Sequence, residues 1–125
     1  IKPRSIGLGM TNPAKQKGTA WESTLVQAFR DEFGNCERLA LNGANDEGDL
    51  WFTHDGHSFV IEAKNERAID LARYVTEAEA EADNWAKSRK AKTPFWAAIV
   101  KRRNHRVSKA YVVMTVDEFV RLVRR

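Results

Sequence analysis

The chain has 125 residues, a formal net charge of +4 and a single cysteine, which suits one domain with a core of its own. Apolar residues make up 42% and charged residues 30%, a globular balance rather than a disordered one. Cys36 alone excludes an internal disulfide framework and a cysteine-based zinc site, and no apolar run approaches the roughly 20 residues that span a bilayer.

Residues 1–18 hold Pro3, Gly7, Gly9, Pro13 and Gly18 without periodicity and read as a basic N-terminal arm, leaving 19–125 as one domain. A helix is expected from Thr19, with Trp21, Leu25, Val26, Phe29 and Phe33 at helical spacing and Gly34-Asn35 as its stop. A short strand follows near Glu37–Leu41, then a loop through Gly48. Residues 49–54 and 57–64 read as two strands joined by Asp55-Gly56, a strong hairpin signal. A long Ala- and Glu-rich helix is expected from Ala68 to Lys90. Thr93-Pro94 breaks it, and strands at 95–101 and 109–115 flank a basic turn around Asn104. Thr115 and Glu118 fit a capping box opening a last helix, with Val116, Phe119, Leu122 and Val123 on one face. The order α-β-β-β-α-β-β-α predicts an α/β fold with a mixed central sheet flanked by helices.

The hairpin fixes a register. With Asp55-Gly56 as the turn, Leu50 faces Ile61 and Phe52 faces Phe59, so one side is uniformly apolar. Asp49 then faces Glu62, and Asp49, Glu62 and Lys64 share the opposite side. Facing side chains lie about 5 Å apart at Cβ, so the two carboxylates repel unless a positive charge lies between them. A hard divalent cation fits two oxygen ligands, and an adjacent ammonium completes a set suited to phosphodiester hydrolysis. An ion-paired, exposed sheet face is the competing reading. Glu22 borders the core-facing stripe of the first helix and either faces this set or completes a capping box with Thr19.

Charge is distributed in blocks. Residues 1–20 carry Lys2, Arg4, Lys15 and Lys17 and no acid. Residues 84–116 carry nine bases and no acid, whereas residues 21–83 carry fifteen acids against five bases. Such basic blocks suit a polyphosphate backbone. Lys15, Lys17, Lys101, Arg102, Arg103 and Arg106 are the candidate phosphate contacts. His54 and His57 flank the turn and read as turn residues rather than ligands. Trp51 either shields the site or packs on a helix, and Trp21, Trp85 and Trp96 read as core or interface residues. Cys36 reads as a small apolar residue.

Asp49, then Val60-Ile61-Glu62-Ala63-Lys64, with Gly48 before the aspartate and Glu22 upstream, resembles the PD-(D/E)XK nuclease superfamily. Within it the chain is most similar to Holliday junction resolvases of archaeal type and their phage-encoded relatives, over residues 15–123. The resemblance implies a restriction-endonuclease-like core. It implies that Asp49, Glu62 and the main-chain carbonyl of Ala63 ligate Mg²⁺, with Mn²⁺ able to substitute. Lys64 would position or activate water, and Glu22 would contact the metal shell. It further implies a homodimer that nicks two opposed strands of branched DNA, and a polar residue reaching the site from the helix after the lysine. Glu77, Glu79 and Glu81 are the candidates, Glu79 first among them; a solvated acidic helix face is the reading preferred over any of the three. A cytoplasmic location follows from the absence of a signal-peptide pattern, in the host if the gene is a phage's. The first residue is Ile, which suggests numbering that begins inside a longer reading frame. The rival readings are a repair or restriction-type nuclease of the same superfamily, a non-catalytic DNA-binding module, and a protein whose basic blocks meet an acidic partner.

Overall fold

The structure is a computed structural model that describes residues 13–40 and 46–125, with side chains from residue 16 onward. Helix α1 spans Pro13–Phe33. It begins six residues before the expected Thr19, so residues 13–18 are helical and not part of an arm. Proline is well placed at the first position of a helix, where its missing N–H has no partner to lose. The early start puts Thr19 and Glu22 inside the helix and overturns the capping box proposed for them. The helix stops where the Gly34 N–H returns to the Arg30 carbonyl at 2.9 Å.

Strand β1 is only Glu37–Arg38, shorter than expected, and its predicted end at Leu41 lies outside the described residues. Strands β2 (Leu50–His54) and β3 (His57–Lys64) form the hairpin. Leu50 faces Ile61, Phe52 faces Phe59 and His54 faces His57, as the sequence pattern required. The turn residues Asp55 and Gly56 have φ of 56° and 77°, the paired left-handed geometry of a tight two-residue hairpin. Helix α2 (Leu71–Arg89) is capped by Asp70, whose side chain accepts from the Arg73 N–H, and it ends at Lys90 in the left-handed region. Strand β4 (Phe95–Val100) is buried throughout. A 3₁₀ turn at Val107–Lys109 takes the start of the last expected strand, so β5 is only Tyr111–Val113. Helix α3 (Val116–Val123) opens with the Thr115 side chain accepting from the Glu118 N–H.

The five strands form one mixed sheet in the order β1-β2-β3-β4-β5. Only β3 and β4 run parallel, and α2 makes the crossover that such a pair requires. The two faces carry separate halves of the core. Trp21 and Leu25 of α1 pack on Leu50, Phe52, Ile61 and Ile99, and the Trp21 indole N–H donates to the Ile99 carbonyl at 3.1 Å. On the other face Tyr74, Ala78, Ala82 and Trp85 of α2 cover Val60, Trp96, Ala98 and Val100. Alternation along β3 therefore sends Ile61 to α1 and sends Glu62 and Lys64 toward α2. No helix among the described residues is long and apolar enough to cross a membrane.

Candidate active site

Asp49 enters the site through an unusual piece of backbone. Gly48 has φ of 100°, and a Cβ there would meet Val60 Cγ1 at 2.7 Å. Only glycine accepts that combination of left-handed backbone and close approach. The loop is also tied to α2. Asn84 donates to the Asp46 carbonyl at 2.9 Å, and Glu47 is met by the Ser88 hydroxyl and by Arg89. Strand β2 begins only at Leu50, while β3 continues to Lys64. Asp49 bridges the gap: its N–H donates to the Ile61 carbonyl at 3.0 Å, and its Oδ2 accepts from the Ala63 N–H at 2.8 Å. The carboxylate therefore sits against the backbone between Glu62 and Lys64.

Glu62 is 6% exposed and its Oε1 has no donor. Lys64 Nζ lies 3.3 Å from Glu62 Oε2 and 2.7 Å from Glu77 Oε1, with the Tyr74 ring 5.3 Å away. Glu77 is shared with Arg73, at 3.2 Å. The residue that reaches Lys64 from α2 is thus Glu77, not the expected Glu79, which points to solvent. A second residue arrives one turn later. Glu81 is 6% exposed, and its Oε1 also lacks a donor.

These acids perturb one another. Burial, then a hydrogen bond to Asp49 and the charges of Asp49 and Glu81, push the Glu62 carboxyl up to about 11, against the pull of Lys64. Burial and the Asp46 charge push Glu81 up to about 8. Burial and mutual charge act in the same direction here: both disfavour the ionised form of neighbouring carboxylates that supply no donor to one another. Burial pulls Lys64 down, but its bond to Glu77 and the charges of Glu62 and Glu77 outweigh it and raise the ammonium. Asp46, which the sequence pattern did not single out, belongs to this cluster through Glu81. Glu22 approaches from α1. Burial and the charge of Asp49 raise it, against Arg38, whose Nη1 is 3.5 Å from Glu22 Oε1. Glu22 lies within α1, so the capping reading does not hold.

All donors here are hard oxygens, and two of the buried ones want a positive partner, which suits a divalent cation. Among the described residues no three His, Cys, Asp or Glu side chains are arranged to hold an ion as they stand. Asp49 is engaged by the Ala63 N–H and Glu62 by the Lys64 ammonium.

Past the ends of β3 and β4, from Asn65 and Lys101 onward, the surface opens into a concavity of about 680 Å³. Lys17, Arg67, Lys101, Arg102 and Arg103 line it, together with Asn65 and with Glu66, whose carboxylate is engaged by Arg73 and Tyr74. Four of the expected phosphate-binding residues therefore converge, and Arg67 joins them. Arg106 does not line it, and the Lys15 side chain lies outside the described residues. Lys101 lies over the Trp21 ring at 6.0 Å and Arg102 over Tyr111 at 5.6 Å. Among the described residues, none of Lys101, Arg102 or Arg103 forms an ion pair with a carboxylate.

No family model, characterised protein or solved structure matches the chain. The remaining residues have structural places. Trp51 packs on Trp85 with ring centroids 6.1 Å apart, and Trp85 and Trp96 are buried. His54 and His57 lie against Phe33 and Phe95. Cys36 is fully buried, and burial raises its thiol to about 11.

Proposed function

We propose that the chain is a metal-dependent DNA endonuclease of PD-(D/E)XK type that resolves four-way junctions by paired nicks, acting as a homodimer on branched DNA. The observation that carries the reading is the Asp49 carboxylate bound to the Ala63 N–H, which brings Asp49 alongside both Glu62 and Lys64. Asp49, Glu62 and the main-chain carbonyl of Ala63 would hold Mg²⁺, or Mn²⁺ in its place. When bound, such a cation neutralises phosphate charge and acidifies a bound water.

The chain's own residues supply the rest. The Lys64 ammonium, held by Glu77, is placed to orient the attacking water and to offset the charge that builds on the phosphoryl oxygens. Glu22, close enough to feel the charge of Asp49, would serve as a proton acceptor at the site. Lys17, Arg67 and Lys101–Arg103 present charge to the backbone of the strands, so shape rather than base sequence selects the target. The restriction-endonuclease-like description of the core belongs to this proposal.

The test is incubation with a synthetic four-way junction, its matched duplex and a single strand, with Mg²⁺ or with EDTA. Symmetric paired nicks in the junction alone, with Mg²⁺ alone, are expected. Cleavage of duplex or flap would move the function to repair or restriction. Salt-sensitive binding with no cut under any metal would leave a DNA-binding module.

A further inference from the structure

Helix α3 is inside out. A helix on a protein surface turns its apolar stripe inward and its charges to water. Here Glu118 and Arg121 face in. Glu118 is buried and accepts the Trp96 N–H at 2.9 Å, while Arg121 bonds Glu118 at 2.7 Å and lies on the Phe95 ring at 4.4 Å. Arg121 also donates to the carbonyls of Thr93 and Pro94. The apolar stripe faces out: Val116 is 78%, Phe119 56% and Val123 64% exposed, with Val120 between them. Val112 on the neighbouring edge strand β5 is exposed as well. Beside the stripe, Leu122, Val112 and Phe33 border an apolar groove between α1 and α3. A contiguous patch of this kind marks an association surface.

The charges at its margin say what covers it. Asp117 and Arg124 are seven residues apart, close to two full turns, so they flank the stripe on the same side at opposite ends. Among the described residues neither has an ion-pair partner. Two copies of α3 laid antiparallel about a two-fold axis bring each Asp117 beside the other copy's Arg124. They also bring Val116 beside Val123 and Phe119 beside Val120. Such a surface is complementary to itself, which is what an isologous dimer requires.

We infer that the exposed face of α3, with Val112 of β5, is the interface between two copies of this chain. The inference rests on the homodimeric reading given above and assigns it a surface. Association is measured on the full chain by sedimentation equilibrium, without DNA or metal, so it is separable from cleavage. The wild type is expected at twice 14.2 kDa at micromolar concentration. Phe119→Glu is expected to run as a monomer with an unchanged far-ultraviolet spectrum, since the side chain is exposed. Asp117→Arg and Arg124→Asp are each expected to weaken the dimer about tenfold, and the double reversal to restore it, a rescue that only a direct cross-copy pair gives. A monomeric wild type, a dimer indifferent to Phe119→Glu, or a charge reversal without rescue would each overturn the assignment. A monomer destabilised by Phe119→Glu would mean that the stripe is covered from within the same chain, and overturns it too. A dimer that passes these tests but cuts no junction defeats the nuclease reading alone.

Discussion

Lys64 lies closer to Glu77 than to Glu62, at 2.7 Å against 3.3 Å. The helix, rather than the strand partner, therefore sets the ammonium's position. Glu77→Gln removes a charge and leaves burial, which favours the neutral amine. The Lys64 pKa is expected to fall in this variant, read from the side-chain carbon shift of labelled lysine across a pH titration. Junction cleavage should fall by about tenfold to a hundredfold, the usual scale for losing a residue that orients a reacting group. An unmoved lysine titration would show that Glu62 alone holds the ammonium.

Asp49 has two separable duties. Its Oδ2 accepts the Ala63 N–H, and its charge faces Glu62. Asparagine keeps an acceptor and loses the charge; alanine loses both. Asp49→Asn should therefore hold the wild-type Tm while abolishing cleavage and keeping junction affinity. Asp49→Ala should in addition lose about 1–3 kcal/mol of stability, the cost of an orphaned buried N–H, measured by urea unfolding. Glu62→Gln should behave as Asp49→Asn does. Loss of DNA binding along with cleavage would make these acids structural.

The raised acids set an unusual pH dependence. Glu62 and Glu81 titrate higher in the fold than in the unfolded chain. Their contribution is then fully present below the ordinary carboxylate pKa of 4.5 and is lost as pH rises through the folded values, about 8 for Glu81. Without divalent metal, Tm is expected to fall between pH 5 and pH 8. Glu81→Gln should flatten that fall, and millimolar Mg²⁺ should oppose it, as any ligand of the folded state does. A metal-free Tm that rises over this window would mean that the acids ionise normally.

The concavity gives a prediction about salt. If Lys101, Arg102 and Arg103 meet phosphates, replacing all three with alanine lowers the slope of log K against log salt by about 0.9 for each phosphate left without its cation. Arg106→Ala, outside the concavity, should leave the slope unchanged. Fluorescence anisotropy with a metal-free junction reads both. Equal effects from the two changes would mean that the basic hairpin acts only through net charge.

Much of this arrangement is legible in the sequence, for stateable reasons. Strand alternation has a period of two, so the pairs Leu50–Ile61 and Phe52–Phe59 admit a single register, which puts Glu62 and Lys64 on one face; Asp49 lies before the ladder, and its N–H meets the Ile61 carbonyl instead of pairing with Glu62. The residue on α2 needs a finer argument. Glu77 and Glu81 lie three and seven residues after buried Tyr74, in phase with the inward face, whereas Glu79 is out of phase. Taking the helical phase from Tyr74, Ala78, Ala82 and Trp85 would find both. Asp46 carries no periodic signal because it lies in a loop. The early start of α1 is hidden by Gly18 in a stretch without apolar rhythm, although Pro13 marks it. The orientation of α3 is illegible, since its apolar stripe gives no sign that Glu118 is the inward residue.

The acids that face one another, apart from Glu22, lie within the single run from Asp46 to Glu81: one hairpin and the helix after it. The cations of the concavity come mainly from Lys101–Arg103, far along the chain, and from Lys17 before it. Arg67 apart, the acids and the cations are thus written in separate passages of the sequence. On the nuclease reading proposed above, substitution or lengthening at the tip between β4 and β5 would redirect the molecule to a different nucleic-acid shape while the carboxylates keep their distances. Drift in the contiguous run has no such freedom, because Gly48, Asp49, Glu62 and Glu77 each depend on a neighbour within it.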